Sequence, residues 1–276
     1  MIHLDEGTVL ANGVTMPWVG LGTCRLQRRQ AVERAIHTAL DAGYRSIDTA
    51  AIYQNEAEIG SALQKSMIAR DRLFITTKLW NTSHGYSHTL AAFDESRRKL
   101  GVDYIDLYMI HWPSRGRIQE TWRALEILYN RGDVRAIGVC NFGVRDLQEL
   151  IRHCEIKPFV NQVEYHPRMN QKPLMHFCHQ NNIQVQAWSP LMQGEILSES
   201  LIVQIAEKHE KTPAQVVLRW ALQNGIPVIP KSATPHRIRE NIDIFDFELP
   251  IEDMVNIHFL NENRRIGSDS GHYFYD

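Results

Sequence analysis

The chain has 276 residues, with 30 basic against 32 acidic side chains and a formal net charge of −2. That near-balance gives no reason to expect nucleic acid or an acidic membrane surface as a partner. The composition, 43 % hydrophobic and 22 % charged, provides ample material for a core, and the length suits one α/β barrel or two ordinary domains. Cys24, Cys140, Cys154 and Cys178 are scattered without a C-x-x-C pair, so neither a zinc site nor a disulfide framework is expected and reduced thiols are the simplest reading. Residues 1–6 lack the basic start and apolar run of a secretory signal. No apolar stretch approaches the roughly 20 residues that cross a bilayer, and a soluble, cytoplasmic protein without membrane contact is the expectation.

Residues 8–16 are two short apolar runs around Asn12-Gly13, a strong hairpin signal because both turn positions need φ > 0. A strand–helix alternation follows. It runs through strand 18–23, helix 29–42 closed by Gly43, strand 44–48, helix 56–65, strand 72–78 and helix 87–100 ended by Gly101. Next come strand 104–111, helix 118–131, strand 134–141, helix 144–153, strand 159–164 and helix 172–180. The pattern closes with strand 184–189, helices 198–209 and 213–223, strand 227–232 and helix 235–243; the chain after 260 reads as loop. Pro213 at a helix start and Gly225 just past its end follow the capping asymmetry.

That makes eight strands, each followed by a helix, with no Pro/Gly/Ser-rich linker to divide the chain. One domain over residues 1–276 is therefore expected. Residues 105–110 are apolar almost throughout, as a sheet covered on both faces requires. Eight βα units in about 230 residues favour an α/β fold of the TIM-barrel kind, (β/α)8, over the open doubly wound alternative.

In such a barrel the chemistry lies at the C-terminal strand ends, and those ends are polar here: Gly22-Thr23, Asp48, Lys78, His111, Cys140-Asn141, Gln162 to Glu164, Ser189 and Lys231-Ser232. Packing alone does not select an Asp, a Lys and a His on three successive strands. With Tyr53 they form a sensible proton-transfer set. A phenol of pKa about 10 is a poor acid at neutral pH, and a nearby lysine ammonium is expected to lower it. Asp48 would hold Lys78 charged, and His111 would polarise a carbonyl or relay a proton. Taken singly, each has a plainer use. Asp48 caps a turn, Lys78 is a Schiff-base lysine, and His111 and Tyr53 pack in the core. No H-x-H or comparable cluster suggests a metal.

The motifs Gly43 to Ala50 (Gly-Tyr-Arg-Ser-Ile-Asp-Thr-Ala), Tyr53-Gln54-Asn55-Glu56, Thr77-Lys78-Leu79-Trp80, residues 107–113, Asn161 to Pro167 (Asn-Gln-Val-Glu-Tyr-His-Pro) and residues 229–241 resemble the aldo-keto reductases, in order and over almost the whole chain. The resemblance implies a catalytic tetrad of Asp48, Tyr53, Lys78 and His111, with Tyr53 the general acid. It also implies an N-terminal hairpin plugging the barrel bottom, and NADPH (NADP+) as cofactor, lying extended across the mouth. The segment Gly20-Leu21-Gly22-Thr23-Cys24-Arg25 starts like G-x-G-x-x-G but ends in Arg, so a Rossmann fingerprint fails.

By resemblance, Asn141 and Gln162 hold the nicotinamide carboxamide and Trp188 stacks on the ring. Gly22, Thr23, Asp48 and Cys140 border them, and Ser189, Leu191 and Gln193 line the pyrophosphate. Lys231, Ser232 and Arg237 bind the 2′-phosphate, with Glu240 and Asn241 near the adenine. Two cations and a hydroxyl suit a dianionic phosphate, so NADPH is preferred to NADH. Cys24, Trp80 and Trp112 are the expected pocket walls. Cys24 stands where many animal members carry tryptophan, Cys140 where serine is usual, and Trp188 where tyrosine is common.

The expected reaction is reduction of small aldehydes and ketones by NADPH. The short segment 114–117 and the short chain beyond Arg265 suggest an open pocket for 2-oxoaldehydes or keto sugars, as in the short-loop bacterial branch. An NADPH-binding regulatory or structural protein with little turnover is the alternative, followed by a Schiff-base aldolase. A monomer is expected.

Overall fold

The computed structural model describes residues 3–114 and 116–267. Arg115, within the expected short segment 114–117, lies outside them, as do residues 1–2 at the start of the expected leaderless N-terminus. Strands β1 (Gly7–Val9) and β2 (Thr15–Pro17) pair antiparallel. Seven parallel strands then pair in chain order: β3 (Gly20–Gly22), β4 (Ser46–Asp48), β5 (Phe74–Leu79), β6 (Ile105–Ile110), β7 (Val134–Cys140), β8 (Val160–Glu164) and β9 (Gln184–Trp188). Helices α1 (Arg29–Asp41), α2 (Glu56–Lys65), α3 (Tyr86–Leu100), α4 (Ile118–Asn130), α5 (Val144–His153) and α6 (Lys172–Gln180) connect them. After β9 come α7 (Ser200–Lys208), α8 (Pro213–Gln223), α9 (Pro235–Ile242) and α10 (Ile251–His258). Every residue of β6 is buried, as the apolar run required.

The eighth stave departs from the expected strand. Residues 227–232 run between β9 and β3 and close the barrel through single bridges, Val19 to Val228, Ala187 to Val228 and Gly22 to Lys231. Pro227 and Pro230 have no N–H to give to a ladder. The remaining groups still pair: Val228 N donates to Trp18 O (2.9 Å), Gly20 N to Val228 O (2.9 Å), Ala187 N to Pro227 O (2.8 Å) and Gly22 N to Pro230 O (3.2 Å). The side-chain-free Gly22 permits this approach, because a Cβ there would lie 2.7 Å from Ile229 O. The result is a (β/α)8 barrel with one irregular stave.

The hairpin sits across the N-terminal ends of the strands, but its turn is not the two-residue form that Asn-Gly suggested. Only Gly13 takes positive φ (83°). Asn12 is used otherwise: its Oδ1 accepts from Val14 N (3.2 Å) and its Nδ2 donates to Arg135 O (2.9 Å) near the start of β7. Thr8 Oγ1 reaches Gln184 at the start of β9 (2.8 Å), and Met16 is buried in the core. These contacts seal the barrel bottom. Helix α10 was not expected. Its N-cap is Pro250, with Glu252 and Asp253 in the first turn favoured by the helix dipole, and it buries Met254 and Ile257. Among the described residues no helix is long and apolar enough to cross a membrane.

Candidate active site

Asp48 ends β4, Lys78 lies in β5, His111 follows β6, and Tyr53 ends a 3-10 turn over Ala51–Tyr53. That turn is set by local bonds, Tyr53 N to Ala50 O (3.0 Å) and Gln54 N to Ala51 O (3.2 Å), with Gln54 left-handed at φ 55°. The fold brings the four together. Lys78 Nζ donates to Asp48 Oδ1 (2.6 Å) and to Thr49 O (2.9 Å), with both side chains almost wholly buried. The same Nζ lies 5.5 Å from the centre of the Tyr53 ring. The His111 ring meets Tyr53 edge-on at 5.6 Å and Trp80 at 5.3 Å between centroids.

Electrostatics corrects one expectation. Lys78 was expected to lower the Tyr53 pKa, yet the phenol is held well above 10, first by burial and then by the charge of Asp48, with Cys24 and Cys140 adding to it. The physical reason is burial, which strips the phenolate of its solvation, with the Asp48 carboxylate opposing a second negative charge beside it. Tyr53 is therefore protonated throughout the neutral range. Burial and the Lys78 cation push His111 well below 6.5, so its imidazole is neutral. Its Nδ1 is buried without a hydrogen-bond partner among the described residues.

A second group adjoins the first. Gln162 Nε2 donates to Asp48 Oδ2 and to Gln186 Oε1 (both 2.8 Å), and Cys140 Sγ reaches Gln162 Oε1 at 3.7 Å. Burial pushes the Cys140 thiol far up, so it stays a weak neutral donor. Asn141, left-handed at φ 64°, donates to His111 O (3.1 Å) and accepts from Trp188 Nε1 (2.8 Å). Thr23 Oγ1 and N both bond Asp48 O. Trp112 and Asn141 border one small cavity of about 30 Å³. Cys24 is exposed, within hydrogen-bond reach of Tyr53.

The remaining predicted residues lie away from this centre. Ser189 (φ 48°) and Gln193 (φ 54°) belong to the tight loop after β9, where Met192 N bonds Ser189 O and Gly194 N bonds Leu191 O. Lys231 bridges to Gly22 on the rim, Ser232 Oγ accepts from Thr234 N (3.1 Å), and Arg237 lies in the first turn of α9. Lys231 and Arg237 are exposed and carry no carboxylate partner among the described residues. Two unpaired cations beside a helix N-terminus fit a phosphate. Glu240 is already engaged, accepting from Thr212 Oγ1 (2.8 Å), and Asn241 is buried.

Two polar residues escaped the sequence reading. Asn55 donates to Thr23 O (2.9 Å) and Leu26 O (3.0 Å) and accepts from Thr49 Oγ1 (2.8 Å), fastening the Tyr53 turn to the loop after β3. It stood in the quoted Tyr-Gln-Asn-Glu motif without a role. Gln186 holds Gln162 in place; the period-2 glutamines of β9, Gln184 and Gln186, were the signal available for it.

The aldo/keto reductase family model matches residues 18–262. A glyoxal reductase of Bacillus subtilis (strain 168) is 53 % identical over 264 residues, 96 % of either chain. The crystal structure of MGS-M4, an aldo-keto reductase from a Medee basin deep-sea metagenome library, is similar with a TM-score of 0.95 at 46 % identity, covering 98 % of this chain and 100 % of that one. A mutant of Gox0644, crystallised in complex with NADPH, has a TM-score of 0.92 at 41 % identity, covering 97 % and 98 %. With a barrel closed in this way and likeness along nearly its full length, the chain belongs to the aldo/keto reductase family.

Proposed function

We propose that this protein reduces small aldehydes and ketones to alcohols with NADPH, Tyr53 giving the proton. The observation that carries the reading is the buried Lys78–Asp48 pair at 2.6 Å beside the Tyr53 and His111 rings. NADPH, when bound, supplies the two electrons as a hydride to the carbonyl carbon. Tyr53 is protonated at neutral pH and so is in the form a donor needs, and the alkoxide developing on the substrate is a far stronger base than a tyrosinate. Neutral His111 orients the carbonyl oxygen with a ring N–H, and Lys78 stabilises the phenolate left behind.

Gln162 and Asn141 would hold the carboxamide, Trp188 would face the ring, and Lys231, Ser232 and Arg237 would take the 2′-phosphate. The glyoxal reductase relative and the expected short loops favour 2-oxoaldehydes, with keto sugars and aromatic aldehydes as further substrates. We take the chain to work as one domain and as a monomer. A Schiff-base role for Lys78 is disfavoured, because its amine already donates to two acceptors.

The test follows NADPH absorbance with methylglyoxal, comparing wild type with Tyr53→Phe. Turnover that collapses in the variant supports the reading. Equal turnover in both sinks Tyr53 as donor, and NADPH binding without turnover of any carbonyl in the panel favours a binding protein.

A further inference from the structure

Glu164 closes β8 at the barrel mouth and is wholly buried. A buried carboxylate is costly unless its oxygens are matched, and the groups that match these are unusual. Oε1 accepts from Ile266 N (2.7 Å) and pairs with His166 Nε2 (3.0 Å); Oε2 accepts from Gly267 N (3.2 Å), with the Arg265 guanidinium 3.9 Å away. Apart from His166, every partner of the Glu164 side chain among the described residues comes from residues 265–267, about a hundred positions on. Two further ties hold the same stretch: Arg264 N donates to Arg168 O (3.0 Å), and the Arg264 side chain pairs with Glu195 in the loop after β9 (2.5 Å).

At Gly267 this stretch lies against Trp188. Glu164 and Trp188 are register partners on neighbouring strands. A Cβ built at Gly267 would sit 2.2 Å from Cη2 and 2.9 Å from Cζ3 of the indole. Those atoms belong to the six-membered ring, whereas the indole Nε1 is tied to Asn141 Oδ1 at 2.8 Å. The ring is therefore fixed at both ends, by a hydrogen bond and by a backbone too close for any side chain.

We infer that Glu164 and Gly267 are positioning residues for the cofactor's redox end, a clamp that holds Trp188 at the angle needed to stack on the nicotinamide. The inference rests on the reading of Trp188 given under Proposed function. Glu164 draws the 266–267 backbone against the indole, and the missing side chain at 267 lets it arrive. Glu164→Gln swaps one acceptor oxygen for an N–H donor and so loses one of the two backbone contacts. Gly267→Ala keeps the anchor and pushes the ring aside.

The experiment titrates wild type, Gly267→Ala, Glu164→Gln, Trp188→Ala and the Gly267→Ala/Trp188→Ala double variant with two probes, NADPH and adenosine 2′,5′-bisphosphate, which lacks the nicotinamide. Each single variant is expected to weaken NADPH about fivefold or more, the scale of one aromatic pair, and to leave the bisphosphate unchanged. The double variant should lose no more than Trp188→Ala alone, because coupled residues are non-additive. Equal weakening of both probes, no weakening of either, or additive losses in the double variant each overturn the clamp. A wild type that binds neither probe overturns the cofactor reading itself.

Discussion

The two ends of the barrel each bury a charged pair and handle it differently. At the bottom, Asp106 is fully buried and both its oxygens are met: Arg70 at 2.6 Å, Arg135 at 2.8 Å and the Ile75 N–H at 2.9 Å. The hairpin closes over this end through Asn12 and Thr8. At the mouth, Lys78 and Asp48 are as tightly paired, but their neighbours are not at rest. Tyr53 is held protonated far up the scale, and His111 is neutral with Nδ1 unmatched among the described residues. An unmatched buried polar group costs about 1–3 kcal/mol. The bottom carries the same kind of cost, since Arg70 Nε is also buried without a hydrogen-bond partner among the described residues. What separates the two ends is the company of the buried charge: two arginines and a backbone N–H around Asp106 at the bottom, a phenol and a neutral imidazole beside the Lys78–Asp48 pair at the mouth.

The sharpest way to break this contrast is to remove one group from each end. Tyr53→Phe should lower kcat about 10²- to 10⁴-fold, the range of general acid catalysis, with little change in the urea midpoint. Asp106→Asn should do the reverse, lowering stability by about 3 kcal/mol with kcat per folded molecule unchanged. That figure is at the low end for breaking a buried pair, because the Arg70 and Arg135 side chains keep 22 % and 41 % exposure and can turn to water. Turnover lost in Asp106→Asn, or stability lost in Tyr53→Phe, would erase the division.

Stability should also depend on pH through the mouth. His84, in the loop after β5, is buried with Nδ1 against Thr121 Oγ1 at 3.1 Å, and burial lowers its pKa from 6.5 to about 4. The folded state therefore prefers the neutral ring. Its contribution is complete above pH 6.5, the unfolded value, and drains away as pH falls toward 4. The drop corresponds to about 3 kcal/mol in total. Urea midpoints measured from pH 7 to 4.5 should fall more steeply for wild type than for His84→Gln. Parallel curves would assign the acid sensitivity to other groups.

How much of this was legible in the sequence follows from how far apart the interacting residues lie. Strand and helix periods are local, so most elements were placed within a residue or two. Asp48, Lys78 and His111 showed themselves because a barrel puts strand ends on one rim. Pro227 and Pro230 were visible, but their effect on the last stave depends on neighbours from both ends of the chain. Asn12 could not be read as the bottom tie, since Arg135 O meets it across 123 positions. The direction of the Tyr53 shift was misjudged for a similar reason. The lysine was in view, but the burial of the phenol and the closeness of Asp48 to it are matters of three-dimensional geometry. Glu164 stood in a recognised motif, yet its partners Ile266 and Gly267 carry no side-chain signal, because they act through backbone N–H groups.

The smallest expected effect concerns the rim, which belongs to neither end. Lys231 and Arg237 are exposed, and an exposed ion pair is worth about 0–1 kcal/mol. A dianionic phosphate bonded by a guanidinium does somewhat better. Arg237→Ala should therefore raise KM for NADPH about five- to tenfold, leave kcat alone and leave KM for NADH unchanged, since a bare ribose offers the guanidinium no charge. The wild-type preference for NADPH should also shrink with added salt, because exposed charges are screened within about 8–10 Å at moderate ionic strength. Should both cofactors weaken alike, Arg237 would be supporting α9 instead of reading the phosphate, and the discrimination would pass to Lys231 and Ser232.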